Sequence, residues 1–423
     1  MSLPEHSYYL HWPDGQQEKI KLTSTGKSGG AGEIYDVRGY PHYVVKLYHG
    51  TTKPESLKKY AHKISWMMSN VPDLPHLTNE AQAIIVQLAW PLAMVFNNSR
   101  FCGFLMHKID FSQTLELDYL LTRKQAEREG FIIDFGVLMM VAYNLAALIG
   151  SLHRKKIAVV DLKPMNLKVH RSGLYMSILD CDGFSILTDG FSADAPQVTP
   201  EYLAPEFQGA SVNEPEAQDR FALAAIIFRL LNYGIHPFVG IASQNVNFPT
   251  ELSGRIKLGL YPYGRMLHAQ IKPAPASIHE TFPDTLRQLF DRAFAWPVGT
   301  RPSPHEWTGT LEPFVIRQRG LMHHCEQGHL QYASMPCSTC FRESMLSAHS
   351  ERLKKRGRHK HRAPMRAFNV IARPLNPVNP FLQAQIGAGP GVPTPVIALN
   401  MKQALLDEFM WLLAMAVIIW WIA

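Results

Sequence analysis

The sequence predicts an α+β protein with two lobes, followed by a small cysteine- and histidine-containing module and a C-terminal apolar helix. Three observations support this fold class. Residues 18–48 and 90–110 have the glycine breaks and apolar–polar alternation that are typical of β-strands. Residues 132–154 and 219–231 are longer, mostly apolar segments, which indicate buried α-helices. With 423 residues, 46% of them hydrophobic, the chain is long enough to bury a core in both lobes.

The strand-rich lobe is expected at residues 18–110 and contains a glycine-rich turn. Gly29 and Gly32 lie in this turn, and Ile34 belongs to the strand that follows. Glycine has no Cβ, so its backbone can approach phosphate oxygens closely. The next apolar strand carries Lys46. A glycine turn followed by a strand lysine therefore suggests a site for a phosphorylated ligand.

The helix-rich lobe, expected at residues 111–318, contains the most informative motif. Asp161 is followed by Lys163 two positions later and by Asn166 five positions later. Phosphoryl transfer needs a carboxylate for the attacking hydroxyl, an ammonium for phosphate charge and an amide oxygen for Mg²⁺. This spacing supplies all three groups on one short loop.

Two further motifs follow in the same lobe. Asp180 directly ends a short apolar strand, and Asp182 begins an overlapping Asp-Gly-Phe sequence, so two alignments of a second metal-binding aspartate compete. We favour Asp180 because it follows the strand at once. The sequence from Thr199 to Glu206 reads Thr-Pro-Glu-Tyr-Leu-Ala-Pro-Glu, and Arg301 lies about a hundred residues beyond it.

In this order, the motifs make residues 20–318 similar to the protein kinase superfamily. The layout most resembles a family of bacterial Ser/Thr protein kinase-like proteins, some of them associated with tellurite-resistance and stress operons. The features that carry this narrower resemblance are the Gly-Gly-Ala-Gly-Glu-Ile-Tyr loop at residues 29–35, Trp90-Pro91 and a zinc-ribbon-like tail. The resemblance implies a two-lobed kinase-like fold, ATP and Mg²⁺ as cofactors, and serine or threonine hydroxyls of a protein substrate as acceptors.

The resemblance also implies a role for each candidate residue. For catalysis it implies Asp161 as base or orienting group, Lys163 as partner of the γ-phosphate, and Asn166 and Asp180 as Mg²⁺ ligands. For nucleotide binding it implies Gly29, Gly32 and Ile34 over the phosphates, Lys46 as phosphate clamp, Val44 and Met106 in the adenine pocket, and residues 107–109, including Lys108, as the hinge. For architecture it implies that Thr199 bonds Asp161 and Lys163, that Glu206 pairs with Arg301, and that Asp219 bonds the catalytic-loop backbone.

Two departures from the kinase pattern leave alternatives open. Val160 stands where most kinases carry an arginine beside the catalytic aspartate, so we expect little dependence on activation-loop phosphorylation. The helix expected at residues 54–70 has no glutamate in its middle to pair with Lys46; Glu55 is near its start and Glu80 lies beyond it. A pseudokinase or nucleotide-binding scaffold that signals through the zinc module is therefore the alternative to a kinase. Phosphorylation of a small molecule is a third interpretation.

Residues 321–345 contain a set of metal-ligating side chains. Cys325-x3-His329 and Cys337-x2-Cys340 form two close pairs that suit tetrahedral Zn²⁺, with His323 or His324 as substitutes for His329. Four protein ligands close the site, so we expect structural Zn²⁺. A module this short is not expected to bury a core, and metal binding would then supply its folding energy.

Residues 346–400 are expected to form a basic and Pro/Gly-rich linker. Lysines and arginines cluster between residues 352 and 366, and the net charge of the whole chain is +7. A solvated segment is the default interpretation of such a tract. Contact with anionic lipid is a further option, whereas nucleic-acid binding is disfavoured because no aromatic residue is interleaved with the charges. The oligomeric state is not predicted.

Residues 404–423 are expected to form a transmembrane tail helix. Residues 409–423 are uninterrupted apolar positions, with tryptophans near both ends, as in membrane-interface anchors. Counted from residue 404, the run is nearly long enough to cross a bilayer. We expect a single-pass anchor that holds the kinase-like domain at the cytoplasmic face of the inner membrane. The alternatives are a partner-binding helix and a cytoplasmic protein.

Overall fold

The computed structural model describes residues 7–360, except residues 80, 81, 197, 244–247, 267, 296–298 and 316–319. Glu80 and the greater part of the expected linker lie outside the described residues, as does the expected tail helix at 404–423.

The N-lobe is built on a seven-stranded antiparallel sheet with the order β2-β1-β6-β7-β5-β4-β3. The strands are β1 (Tyr8–His11), β2 (Gln17–Ile20), β3 (Leu22–Ser28), β4 (Gly32–Val37), β5 (Tyr40–Tyr48), β6 (Pro91–Asn97) and β7 (Arg100–His107). Strand β1 precedes the lobe boundary expected from the sequence. It belongs to the lobe because it pairs with both β2 and β6 and because Leu10 is fully buried. One helix, α1 (Pro54–Ser69), packs on this sheet.

The C-lobe is mainly helical, with short strands near the cleft. Its helices are α2 (Leu117–Leu120), α3 (Arg123–Arg128), α4 (Phe135–Arg154), α5 (Pro215–Leu231), α6 (Leu252–Lys257), α7 (Asp284–Phe294) and α8 (Pro304–Val315). Its strands are β8 (Thr114–Glu116), β9 (Ile157–Ala158), β10 (Leu167–His170), β11 (Met176–Ile178), β12 (Ser185–Thr188), β13 (Phe191–Ala193), β14 (Gly240–Ala242) and β15 (Ile271–Pro273).

Helix α4 forms the centre of the C-lobe core. It begins three residues later than the apolar pattern predicts because Asp134 caps it, accepting a hydrogen bond from the Val137 amide at 2.8 Å. It packs mainly against α8 and α5. Of the described helices, α4 alone has the length and hydropathy that crossing a bilayer requires, and its burial in the lobe core accounts for that composition.

The segment from Thr199 to Glu206 is tied to the rest of the C-lobe by an ion pair. Both oxygens of Glu206 accept hydrogen bonds from the Arg301 guanidinium, and Nη2 lies 2.7 Å from Oε2. The Arg301 side chain is 6% exposed. This bidentate pair is the contact that the kinase resemblance implies, and breaking such a buried pair costs about 3–5 kcal/mol.

The cysteine- and histidine-containing module docks on the C-lobe. It consists of β16 (Met322–His324), β17 (Leu330–Tyr332) and the start of α9 (Ser338–Lys360). Tyr332 is fully buried, and its ring centroid lies 5.7 Å from that of Phe135 in α4. Ser338 Oγ lies 2.6 Å from Thr281 Oγ1 in the C-lobe. The expectation that the module buries no core was wrong in this respect, because Tyr332 enters the C-lobe core.

Helix α9 differs from its sequence expectation. The residues from 346 onward were expected to form a linker, but α9 continues through Lys360. The first residues of the basic tract are therefore helical.

Candidate nucleotide-binding and catalytic site

A cavity of about 550 Å³ lies between the N-lobe sheet and the C-lobe. Residues from both lobes line it. Among them are all eleven residues for which the sequence predicts a nucleotide-binding or catalytic role: Gly29, Gly32, Ile34, Val44, Lys46, Met106, Lys108, Asp161, Lys163, Asn166 and Asp180. The structure thus brings together side chains that are widely separated along the chain.

Lys46 is the buried cation of this cavity. It lies on β5, with a side chain 6% exposed, and Nζ donates hydrogen bonds to Asp182 Oδ1 at 2.7 Å and Asp180 Oδ1 at 3.2 Å. Burial alone lowers the pKa of Lys46, but the two carboxylates outweigh that effect and the pKa is raised overall. Lys46 is therefore a permanent cation at neutral pH.

Asp180 and Asp182 differ sharply in environment. Asp180 adopts a left-handed backbone conformation, with φ of 54°, and a 3₁₀ turn from Cys181 to Gly183 follows it. The Asp180 side chain is 60% exposed, whereas that of Asp182 is 3% exposed. The Tyr48 hydroxyl donates to Asp182 Oδ2 at 3.2 Å, so each oxygen of Asp182 has a partner.

The catalytic-loop side chains form a hydrogen-bonded triangle. Lys163 Nζ donates to Asp161 Oδ2 at 2.7 Å and to Thr199 Oγ1 at 3.0 Å, and the Thr199 hydroxyl donates to Asp161 Oδ1 at 2.6 Å. Asn166 Nδ2 donates to the Asp161 carbonyl at 3.2 Å, which leaves its amide oxygen for another ligand. The triangle fixes the direction of the Asp161 carboxylate toward the cavity.

The backbone before Asp161 is held in an unusual conformation. Val160 has φ of 64°, a left-handed value that costs a β-branched residue on the order of 1–3 kcal/mol. Fully buried Asp219 stabilises it by accepting from the Val159 and Val160 amides, both at 2.7 Å. Gln218 Nε2 adds a 3.3 Å bond to the Val160 carbonyl. An interaction within the C-lobe thus positions the loop without an arginine at position 160.

Helix α1 carries a buried lysine, and none of its glutamates pairs with Lys46. Glu55 is exposed in its first turn and makes no ion pair within the described part of the chain. Lys63 is buried, and its Nζ lies 3.5 Å from the Asp194 carbonyl. Burial lowers the pKa of Lys63 to about 8, and the nearby Asp182 and Asp194 only partly oppose this. The suggestion that Glu55 serves as partner of Lys46 was wrong, and the sequence analysis did not single out Lys63 at all.

The structure refines the roles that the sequence predicts for Gly32 in the glycine-rich turn and for Lys108 in the expected hinge. A Cβ on Gly32 would collide with the Leu47 carbonyl of β5, so the sheet itself requires glycine there. The Lys108 amide donates to the His42 carbonyl at 2.8 Å and is already used within the N-lobe. Lys108 Nζ pairs with Asp36 at 2.7 Å on the exposed rim. The amide of buried Ile109 has no partner among the described residues, which makes it the available donor in the hinge.

Comparison with known proteins finds protein kinases among those similar to this chain. The chain is 27% identical over 305 residues to protein kinase YegI of Escherichia coli K12, and 26% identical over 301 residues to the protein of the same name from Escherichia coli O157:H7. Each match covers 69% of this chain and 44% of the relative. The chain is related to bacterial protein kinases.

More distant matches point the same way. The human cAMP-dependent protein kinase catalytic subunit PRKX is 26% identical over 227 residues, which cover 47% of this chain and 57% of the relative. No protein-family model matches the chain. The matched part of this kinase-like chain thus spans less than half the length of the two YegI proteins.

The kinase-like chain also brings its four predicted metal ligands together. Donor atoms of Cys325, His329, Cys337 and Cys340 all lie within 4.8 Å of one another. The Sγ atoms of Cys325 and Cys340 are 3.9 Å apart, and His329 Nδ1 is 3.3 Å from Cys340 Sγ. Tetrahedral Zn²⁺ with bonds of ~2.0–2.3 Å places its ligands ~3.3–3.8 Å apart. The cluster fits a metal ion of this kind. His323, a predicted substitute ligand, instead bonds Gln331 at 2.6 Å.

Proposed function

We propose that this chain is an ATP- and Mg²⁺-dependent Ser/Thr protein kinase, which transfers the γ-phosphoryl group to hydroxyls of a protein substrate. The observation that carries the proposal is the triangle of Asp161, Lys163 and Thr199, which lies in the same cavity as Lys46 and Asp180. Asp161 orients the attacking hydroxyl and accepts its proton, and Lys163 neutralises charge on the transferred group.

The nucleotide would occupy the cavity between the lobes. Val44 and Met106 line its apolar part, and the free Ile109 amide offers a hydrogen-bond donor to the edge of a base. Lys46 would hold the phosphates. Asn166 and Asp180 have oxygens available for Mg²⁺, which when bound neutralises phosphate charge. The exposure of Asp180 supports its assignment as the metal ligand.

Incubation with radiolabelled ATP and a mixture of candidate protein substrates tests the proposal. We expect wild type to transfer label to serine or threonine, and Asp161→Ala to lose about 10²–10⁴-fold in rate. Asp189→Ala, an exposed turn aspartate outside the cavity, is the matched control and should behave as wild type. Equal labelling by wild type and Asp161→Ala would contradict the kinase assignment.

A nucleotide-binding scaffold is the second candidate. The observation in its favour is that α1 carries a buried lysine, Lys63, and offers Lys46 no glutamate. A scaffold would show ATP-dependent thermal stabilisation without labelling of any protein.

We further propose that Cys325, His329, Cys337 and Cys340 hold a structural Zn²⁺. The support is the close approach of the four donor atoms and the closed, all-protein ligand set. Such an ion would fix the loop before β17 against the start of α9.

For localisation, we propose that residues 404–423 tether the protein to the cytoplasmic face of the inner membrane, with the basic tract against anionic lipid. Removal of residues 400–423 should move the protein from the membrane to the soluble fraction, whereas removal of residues 376–395 should not. Full-length protein in the soluble fraction would support the cytoplasmic alternative.

A further inference from the structure

The proposed function leaves one buried charge of the cleft without a role. Asp182 is the most deeply buried carboxylate in the cavity, with a side chain 3% exposed. Its two oxygens accept separately, Oδ1 from Lys46 and Oδ2 from the Tyr48 hydroxyl. Burying a carboxylate is costly unless it is paired and hydrogen-bonded, and Asp182 meets both conditions.

Asp180 and Asp182 differ in exposure and hydrogen bonding, which suits them to different roles. Asp180 lies two residues before Asp182; its side chain is 60% exposed, and the closest partner of its carboxylate is Lys46 Nζ at 3.2 Å. An exposed, weakly held carboxylate can take up a hydrated Mg²⁺ ion. Asp182 has no such freedom because both of its oxygens are engaged inside the protein.

Helix α1, which contacts the 3₁₀ turn from Cys181 to Gly183, strengthens this distinction. Lys63 is the buried charged residue of that helix, and it interacts electrostatically with Asp182 and Lys46. A lysine cannot orient Lys46, because two ammonium groups repel each other. Asp182 lies near both cations and is the buried anion that attracts each of them.

We propose that Asp182 is the positioning residue for Lys46, so that the metal-binding turn itself supplies the counter-ion that other kinases take from the helix. Residues 180–182 then perform two functions: Asp180 faces the metal, and Asp182 orients the lysine that holds the phosphates. The inference rests on the proposed nucleotide site and adds a residue to it. It implies that the Lys46 ion pair does not depend on an inward position of α1.

A double-mutant cycle on ATP affinity tests the proposal. The variants are Lys46→Met, Asp182→Asn and the double variant, measured by calorimetry with Mg²⁺ and again with EDTA. Since Asp182 acts through Lys46, we expect each single change to weaken ATP binding by about 10-fold, and the double change to weaken it no further. The Asp182→Asn loss should be the same with and without Mg²⁺.

Asp180→Asn is the matched comparison in the same turn. Its loss of affinity is expected with Mg²⁺ and should disappear in EDTA. Additive losses in the cycle, or an Asp182→Asn loss that disappears in EDTA, would overturn the proposal, because Asp182 would then act independently of Lys46 or as a metal ligand.

Thermal melting of each variant shows whether it folds. If Asp182→Asn does not fold, Asp182→Glu keeps the charge but displaces Lys46. It should weaken ATP binding equally with and without Mg²⁺, and a Mg²⁺-dependent loss would again overturn the proposal. Wild-type protein that binds ATP but transfers no phosphate would contradict the proposed function and still leave the cycle interpretable.

Discussion

The cleft between the lobes and the cysteine- and histidine-containing module are both clusters of polar side chains from separate parts of the chain, but they are held together differently. In the cleft, Lys46 and Asp182 pair directly at 2.7 Å, as do Lys163 and Asp161. In the module, the four donor atoms face one another at distances that suit shared bonds to an ion. The cleft therefore contains its own counter-charges, whereas the four ligands of the module would be joined by the proposed Zn²⁺.

Because of this difference, we expect loss of the ligand to affect the two regions differently. A cleft with matched charges keeps its geometry without a ligand, which would lower the reorganisation needed in the proposed phosphoryl transfer. A ligand cluster without its ion loses the bonds that hold two loops together. Removal of the cofactor should leave the cleft folded, while removal of the metal should unfold part of the module.

The largest expected effect is that of metal removal. A strong chelator, or Cys337→Ser, should abolish bound zinc, lower the melting temperature and release Tyr332 from the C-lobe core, because structural Zn²⁺ binding contributes on the order of 10 kcal/mol in small modules. Metal analysis should find one zinc per wild-type chain, and hydrogen exchange should accelerate in β17. Cys102→Ser, a thiol outside the cluster, is the control. Unchanged exchange in β17 after chelation would show that the module folds without metal.

The second prediction concerns an ion pair that stabilises the fold but lies away from the cavity. Arg301→Ala should lower the free energy of unfolding by about 3–5 kcal/mol, because it leaves the Glu206 carboxylate partly buried and unpaired. Arg292→Ala is the matched control: its pair with Glu306 is 41% and 43% exposed, and its loss should cost at most about 1 kcal/mol. Chemical denaturation measures both. If both variants lose the same free energy of unfolding, burial of the Arg301–Glu206 pair does not make its loss more costly.

The sequence predicts some interactions of the cleft and misses others. Within the cleft, Asp161, Lys163 and Asn166 are close in the chain, so a short motif specifies their chemistry. The Lys46–Asp182 pair joins residues 136 positions apart, and no local spacing indicates it. Without the fold, the absence of a glutamate in α1 looked like a defect of the site.

The same limit explains what was missed elsewhere. The metal ligands of the module are recognisable from two short spacings, but the burial of Tyr332 against Phe135 depends on the C-lobe surface that receives it. Strand β1 was missed because its four residues form a strand only by pairing with β2 and β6. The burial of Tyr332 and the formation of β1 depend on residues far away in the chain, and a single sequence does not show which residues those are.

The third prediction concerns Lys63, a buried ammonium group that, unlike Lys46 and Lys163, forms no ion pair among the described residues. Burial lowers the pKa of Lys63 to about 8, so the folded protein releases this proton above pH 8. The unfolded chain, in which lysine has its ordinary pKa of about 10.5, still holds the proton. The unfolded state then binds more protons, and stability should rise from about pH 8 to about pH 10.5, by about 3 kcal/mol for this residue.

Comparison of unfolding curves for wild type and Lys63→Met across this pH range checks the effect. The methionine variant should be more stable at pH 7 and should lack the rise, whereas Lys108→Met, which removes an exposed ammonium, should keep it. Parallel curves for wild type and Lys63→Met would show that Lys63 is not a buried cation in the folded protein.

The smallest expected effect is that of the hydroxyls of Thr188 and Ser192, which lie between Asp182 and Thr199 in the chain. Thr188→Ala with Ser192→Ala should leave the phosphotransfer rate within about twofold of wild type, because Val160 offers no cation beside Asp161 for a loop phosphate to pair with. The loop is held instead by Asp219 and Gln218, which bond the Val160 backbone. Asp219→Asn provides the contrast: it keeps the shape but replaces one of the two acceptor oxygens by an NH₂ donor, and it should reduce activity more than the double alanine variant. If the double alanine variant loses activity and Asp219→Asn does not, a phosphate on Thr188 or Ser192 organises the cleft. The cleft would then depend on an added charge, as we propose that the module depends on its ion.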